Sequence, residues 1–589
     1  MAGIDWSILS GPRVTRRTMM KLAAATGSMG FASWLAACGG EEDTGGTPAT
    51  IASGAPTSAS GTGSTAVPSG ATAATGGATA ATGGTTASTE GSPTTMARDP
   101  DAKAGGELRL GYGIGQILTL DPAQVTQGIV AGELIANLFS SLVQFDEDLG
   151  LIPDLAEDWE VSDDGKEYVF HLREGLTFHN GDPLVGEDFV YTYGRTTDEA
   201  FASPHANKLS LVTDITAQDE LTVAITLSDP FAPFLAVACS RGPGRALTPI
   251  SKRSIEELGD EQFGITPVGC GPFMIVPESA EVGAGFDMVP FEDWYGGRPL
   301  LDKISVQIIP EPSSRISALE AGDVDMLDIL PNSGYEQVKA NDEFTIVERP
   351  GTNWVGLTMN FTRPPWDNLD ARMAVAKAID RQDYIEKALF GLAQPSVGAI
   401  APAFGWVYQP PEEFEDPQAF DLDGAKALAT KAGLEGTKAV ILSSAEDSRG
   451  DEVLRNMLSE IGVDVQLDQL QSAAANERWL AGDYDMNVNG SVVDADPDDG
   501  HWNFFYSEGP WNTYGYVSAE ADELLEGTRT TSDEAERRQL WHELQARLAA
   551  DVAYVFLYHA PDLVVFHNDV KGYRPIPEMR YMESVWLDR

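Results

Sequence analysis

Hydrophobic and polar residues alternate in several short stretches of this chain. GGELRLGYG, Gly105 to Gly113, reads as a short strand closed by a glycine turn, and EYVFHLREG (Glu167 to Gly175) and LTVAITL (Leu221 to Leu227) repeat with period two, as half-buried strands do. Further along the period changes. In DEVLRNMLSEIG, Val453, Leu454, Met457, Leu458 and Ile461 fall on one helical face, and VDVQL then returns to period two. ERRQLWHELQARLAADVAYVFLYH repeats that order: Leu540, Trp541, Leu544 and Leu548 line a helix, followed by a strand around Val555 to Leu557. Between Val161 and Glu167, Asp164-Gly165 predicts a hairpin turn. Helices mixed with strands in this way predict an α/β body in several lobes. No repeat of solenoid length is visible.

The first 104 residues have a different pattern. Arg16 and Arg17 precede a moderately apolar run from Leu22 to Leu35, too short and too rich in small residues for a span of about 20 apolar residues. It reads as the h-region of a twin-arginine signal peptide. The run ends in LAACGG, Leu35 to Gly40, which resembles a bacterial lipobox with Cys38 as the lipidated first residue of the mature chain. From Gly39 to about Lys103 the composition is nearly all Gly, Ala, Ser, Thr and Pro. Such a segment buries too little apolar surface to offset its chain entropy and is predicted to be a disordered tether. About 60 such residues span on the order of 40–45 Å root-mean-square.

A formal net charge of −51 argues against nucleic acid and against docking on anionic lipid, because both would be repelled. Catalytic and cofactor motifs fail one by one. GYGIGQ has Gln116 where a dinucleotide fingerprint needs glycine, and WHELQAR has Ala546 where a zinc-protease helix needs its second histidine. There is no G-x-S-x-G elbow and no phosphate loop ending in Lys-Ser/Thr. The seven histidines are scattered, with no pair at metal-ligand spacing. The expectation is a protein that is not an enzyme and carries no metal or cofactor.

The ordered blocks of the body resemble the extracellular solute-binding proteins of peptide-type ABC importers, the dipeptide- and oligopeptide-binding group of family 5. The blocks are GGELRLGYG with Leu120–Pro122, the long run from Leu151 to Tyr193, DPFAPFLA, PVGCGPF, ISALEAGDVDML, RPPWDNLDARMAVAKAIDR and GDYDMNVNG. Cys270 in PVGCGPF departs from the small polar residue that the family usually carries. The resemblance implies a type II periplasmic-binding-protein-like α/β fold, with two lobes around a hinged cleft and an inserted subdomain. After the signal peptide (1–37) and the lipidated tether (38–104), it places the first lobe in residues 105–145, 262–352 and 551–589. The inserted subdomain covers 146–261 and the second lobe 353–550. It also implies a monomer at the outer face of the cytoplasmic membrane, held by lipid alone and serving a separate permease and ATPase. Its ligand would be a peptide, with an oligosaccharide or a nickel complex as alternatives on the same scaffold, and a surface sensor or enzyme as the alternative of another class.

Family position also bears on the remaining cysteines. Cys239 and Cys270 follow blocks that approach the hinge, in a compartment that permits oxidation, so they are expected either as a disulfide or as two separate buried thiols.

The stretch SVVDADPDDGHW places Asp494, Asp496, Asp498 and Asp499 within six positions. A calcium loop counted from Asp494 would need glycine sixth and glutamate twelfth, where Asp499 and Phe505 stand. In peptide-binding members an aspartate just ahead of the family's Asp-Pro turn holds the ligand's α-ammonium. Asp494 is the matching position, and a spacing one residue shorter than in some members leaves Asp496 as the second candidate. Asp498 and Asp499 are expected in a solvated polar turn. Trp406, Trp502 and Trp511 are the rings that a sugar ligand would stack on.

Overall fold

The computed structural model describes residues 99–589 apart from 281–283, 445–447 and 493–495. The signal peptide, Cys38 and most of the tether lie outside the described residues, as does Asp494.

Two large sheets organise the body. The first has seven strands in the order Phe344–Pro350, Pro561–His567, Met326–Leu327, Glu107–Tyr112, Lys303–Ile308, Gly285–Pro290 and Phe273–Ile275. Glu107–Tyr112 is central because its alternation buries Leu108, Leu110 and Tyr112, and it runs parallel to both its neighbours. The second sheet has six strands in the order Gln394–Pro395, Val555–His559, Asn353–Met359, Met486–Val492, Lys438–Ser444 and Asp464–Leu470. A third, four-stranded antiparallel sheet holds Ala156–Val161, Glu167–Leu172, Thr222–Leu227 and Val212–Asp219. Its first two strands form the hairpin around Gly165, where φ is +68° and glycine carries no steric cost.

The helices expected from period 3.6 form at Arg449–Ser459 and Glu534–Asp551. Leu454 and Leu458 of the first, and Trp541, Leu544 and Leu548 of the second, are buried. The first group packs in the aliphatic core on one side of the second sheet. The second group packs in an aromatic core with Trp354, Phe504, Phe505, Tyr514 and Tyr554.

Val555–His559 belongs to the second sheet, pairing with Asn353–Met359, and Ala553 and Tyr554 lie in the second lobe's aromatic core. The expected first-lobe segment beginning at residue 551 therefore starts too early. The chain changes sheet at Ala560 and enters the first one at Pro561.

Cys239 and Cys270 are two separate buried thiols, which corrects the disulfide alternative. Cys239 ends the Phe234–Cys239 helix inside the subdomain core, and the Cys270 thiol lies 3.5 Å from the Ser140 carbonyl oxygen. Burial raises the pKa of both thiols, suppressing the thiolate through which disulfides form.

Candidate functional site between the lobes

The chain passes between the two large sheets twice, at residues 350–353 and 559–561, and the two passes lie side by side. Pro350 pairs with Pro561 at the end of the first sheet, and Gln394 with His559 in the second. Asn353 ties the passes together. Its Nδ2 donates to the Ala560 carbonyl and its Oδ1 accepts from the Ala560 N–H, both at 2.8 Å. His559 Nδ1 lies 2.8 Å from the Asn353 carbonyl oxygen. A carbonyl can only accept, so Nδ1 carries the proton. Burial lowers the His559 pKa to about 4, and the ring is neutral near pH 7. At Gly351 a Cβ would stand 2.7 Å from the Ala560 carbonyl oxygen, so the close approach of the two passes requires glycine there.

The strand Met486–Val492 runs toward this crossing and ends there at the start of the acidic stretch, with Val492 directly across from Asn353. Beyond residues 493–495 the chain begins the helix Pro497–Phe505, where sequence reasoning expected a polar turn. Asp496 is its N-cap, its carboxylate accepting from the Asp498 N–H at 3.0 Å, and Pro497 occupies the first turn, where its missing N–H costs nothing.

Asp496 and Asp498 are each matched to an arginine of a later helix. Arg537 donates to the two oxygens of Asp496 at 2.7 and 2.8 Å, and both side chains are buried. Arg529 donates to the two oxygens of Asp498 at 2.6 and 2.8 Å. Asp498 is 2% exposed, so the expectation of a solvated residue is corrected: the Arg529 fork brings the neutralising charge to it. Asp496, the second candidate for the ligand ammonium, already has both oxygens engaged. Asp499 lies in the helix.

The aromatic residues separate into different environments. Trp511 is core, edge-on to Phe504 at 5.2 Å, and offers no sugar platform. Trp502 is half-buried, with Tyr506 stacked on it at 3.9 Å and the Arg529 guanidinium 3.4 Å from its ring centre. Trp406 is half-buried, 5.2 Å from the Arg537 guanidinium. His501 is buried against Trp541, and burial lowers its pKa to about 4. Sequence reasoning missed Arg529, Arg537 and Asn353. The two arginines lie more than 30 residues from their partners, and nothing local marks them. Asn353 had one visible sign, its position just after Pro350-Gly351.

Among the described residues no group of His, Cys, Asp and Glu could hold a metal ion, and no helix is long and apolar enough to cross a membrane. The geometry is that of two α/β lobes joined by paired crossings, and known proteins share it. The profile of the bacterial extracellular solute-binding proteins, family 5 (middle region), matches residues 150–513. The E. coli K12 protein named "Probable D,D-dipeptide-binding periplasmic protein DdpA" is 30% identical over 472 residues, covering 77% of this chain and 89% of that protein. Among solved structures, the Helicobacter pylori periplasmic binding protein DppA in complex with the peptide STSA matches with a TM-score of 0.69 at 27% identity, covering 83% of this chain and 99% of that one. The binding protein AgaA in complex with agropinic acid, from A. tumefaciens R10, matches with a TM-score of 0.69 at 25% identity, covering 82% of this chain and 99% of that one. This chain belongs to the bacterial extracellular solute-binding proteins of family 5, and its fold is that of the type II periplasmic binding proteins.

Proposed function

We propose that the protein is the membrane-tethered receptor of an ABC importer, capturing a peptide between its two lobes and delivering it to a permease. The observation that carries this reading is the pair of adjacent crossings at Asn353 and Ala560, a two-stranded hinge between two sheets. The peptide-bound relative at 27% identity supports the choice of ligand. In this reading Cys38 carries the lipid, the tether lifts the body off the outer face of the membrane, and the protein acts as a monomer without a catalytic step.

Asp494 is proposed to hold the ligand's α-ammonium. Support comes from its neighbours: Val492 lies across from the hinge residue Asn353, and Asp496 and Asp498 are neutralised by arginines. Those pairings occupy Asp496 and Asp498, and the choice of Asp494 rests on its position just ahead of the Asp-Pro turn, as in the peptide-binding members. Main-chain groups of an extended peptide would be held by backbone hydrogen bonds that do not depend on its sequence. Calorimetric titration with defined peptides of two to five residues tests the reading. Saturable binding that is lost when the peptide's N-terminus is acetylated is expected. Equal affinity for free and acetylated peptides would overturn the ammonium anchor.

A further inference from the structure

Among the described residues, two contacts between the inserted subdomain and the second lobe are built with features the subdomain's own fold does not require. The first is the tip of the hairpin joining Val143–Phe145 to Leu151–Pro153. Asp146 organises this tip, its Oδ1 accepting from the N–H groups of Asp148 and Gly150 at 2.9 and 2.8 Å. Leu149 stands there with φ +62°, a left-handed backbone that favours Gly or Asn. Its side chain packs against the subdomain core and also against the aromatic core of the second lobe. A leucine kept in that conformation is explained by the surface it covers across the gap.

The second place is Phe231–Ala232, in the loop after Thr222–Leu227. The Ala232 N–H donates to the Arg529 carbonyl at 2.7 Å. Arg529 lies in the last turn of the helix Ala519–Thr530, where carbonyls have no partner within the helix, so the subdomain supplies one. The Arg529 guanidinium lies 5.5 Å from the Phe231 ring centre while it is stacked on Trp502 and forked onto Asp498. Trp502 and Asp498 hold the arginine's planar head in place, and its backbone and one face remain for the subdomain.

We propose that the inserted subdomain is the counter-surface on which the second lobe closes, with Arg529, set by Asp498 and Trp502, as the latch and Leu149 as a second stop. The proposal rests on the two-lobed capture reading and goes beyond it by assigning the closing contact to a part of the chain outside both sheets that flank the hinge. The latch is linked to the acidic stretch through Asp498, two residues beyond the cap at Asp496.

The test uses the mature protein without added solute, followed by amide hydrogen exchange at Ala232 and by small-angle X-ray scattering. Phe231→Ala and Arg529→Lys alter opposite sides of the contact. Each is expected to speed exchange at Ala232 by at least about tenfold and to raise the radius of gyration, with exchange in the strand Thr222–Leu227 unchanged. If Phe231→Ala loosens the subdomain core, the strand amides will also speed up. Arg529→Lys, which leaves that core intact, then decides the question. Unchanged Ala232 exchange in Arg529→Lys, with an unchanged radius of gyration, would overturn the proposal. Neither readout needs a ligand, so failure here is distinct from a failure to bind peptide.

Discussion

Asn353 and Ala560 hold each other by two hydrogen bonds of 2.8 Å, one in each direction, at the point where the chain crosses between its lobes. The side-chain amide of one pass substitutes for a backbone partner of the other, so the two passes move as a unit. Asn353→Ala leaves the Ala560 N–H and C=O without these partners and is expected to cost about 1–3 kcal/mol. Asn353→Asp is not expected to rescue it, because a carboxylate cannot donate to the Ala560 carbonyl. Urea unfolding of the two variants checks this, with a lowered midpoint in both as the expected result.

The arginine pairs of the acidic stretch make a graded prediction. Asp496→Asn removes the charge that neutralises buried Arg537, and about 3–5 kcal/mol of stability should go with it. Asp498→Asn should cost less, about 1.5–3 kcal/mol, because Arg529 retains contact with water. Urea midpoints ordered wild type, Asp498→Asn, Asp496→Asn would agree. A neutral Asp498→Asn would restore the solvated turn that the sequence suggested.

The hinge histidine ties stability to pH. His559 titrates near 4 in the folded protein and near 6.5 when unfolded, so between those values the unfolded chain binds more protons. Its stabilising effect is complete above about pH 6.5 and declines toward pH 4, by about 3 kcal/mol in total. His501 and His179 share the sign, with pKa values lowered to about 4 by burial. Asp188, raised to about 6 by burial, opposes them in the overlapping range. His559→Asn, whose amide can still donate to the Asn353 carbonyl, should flatten the fall in melting temperature between pH 7 and pH 4.5. An unaltered slope would show that the ring takes up its proton as readily in the folded state as in the unfolded one.

The ligand anchor makes a separate prediction. Asp494→Asn should weaken binding of a peptide with a free N-terminus by about 2–5 kcal/mol, the cost of leaving one charge of a buried pair alone. It should leave the urea midpoint nearly unchanged, unlike Asp496→Asn. Calorimetry and unfolding on the same variant separate the two roles, and a large loss of stability without a loss of affinity would assign Asp494 to the fold.

Much of this architecture is legible in the sequence wherever one face of an element is wet. Thr222–Leu227 alternates because water meets one side of it, Glu107–Tyr112 alternates over its first half, where Glu107 and Arg109 reach water, and the Asp164-Gly165 hairpin follows from its turn chemistry. Val555–His559 is buried on both faces, so its residues give no alternation to show which sheet it joins. Its change of sheet at Ala560 leaves no mark in composition. In the acidic stretch the Asp-Pro cap is readable, but Asp498, Asp499 and Gly500 look like a turn. The helix and the burial of Asp498 depend on Arg529, a partner that only the tertiary fold brings near. The cysteines fail for a similar reason: family position brings them toward the same junction without fixing the distance between their sulfurs.

Mass spectrometry of the intact protein, purified without denaturation from its own host, tests most directly whether a small solute is held between the lobes. The expected spectrum shows the mature chain with an added mass that disappears on denaturation and is recovered as peptide. A chain that arrives free of any solute, and that takes up none from a mixture of short peptides, would contradict the account.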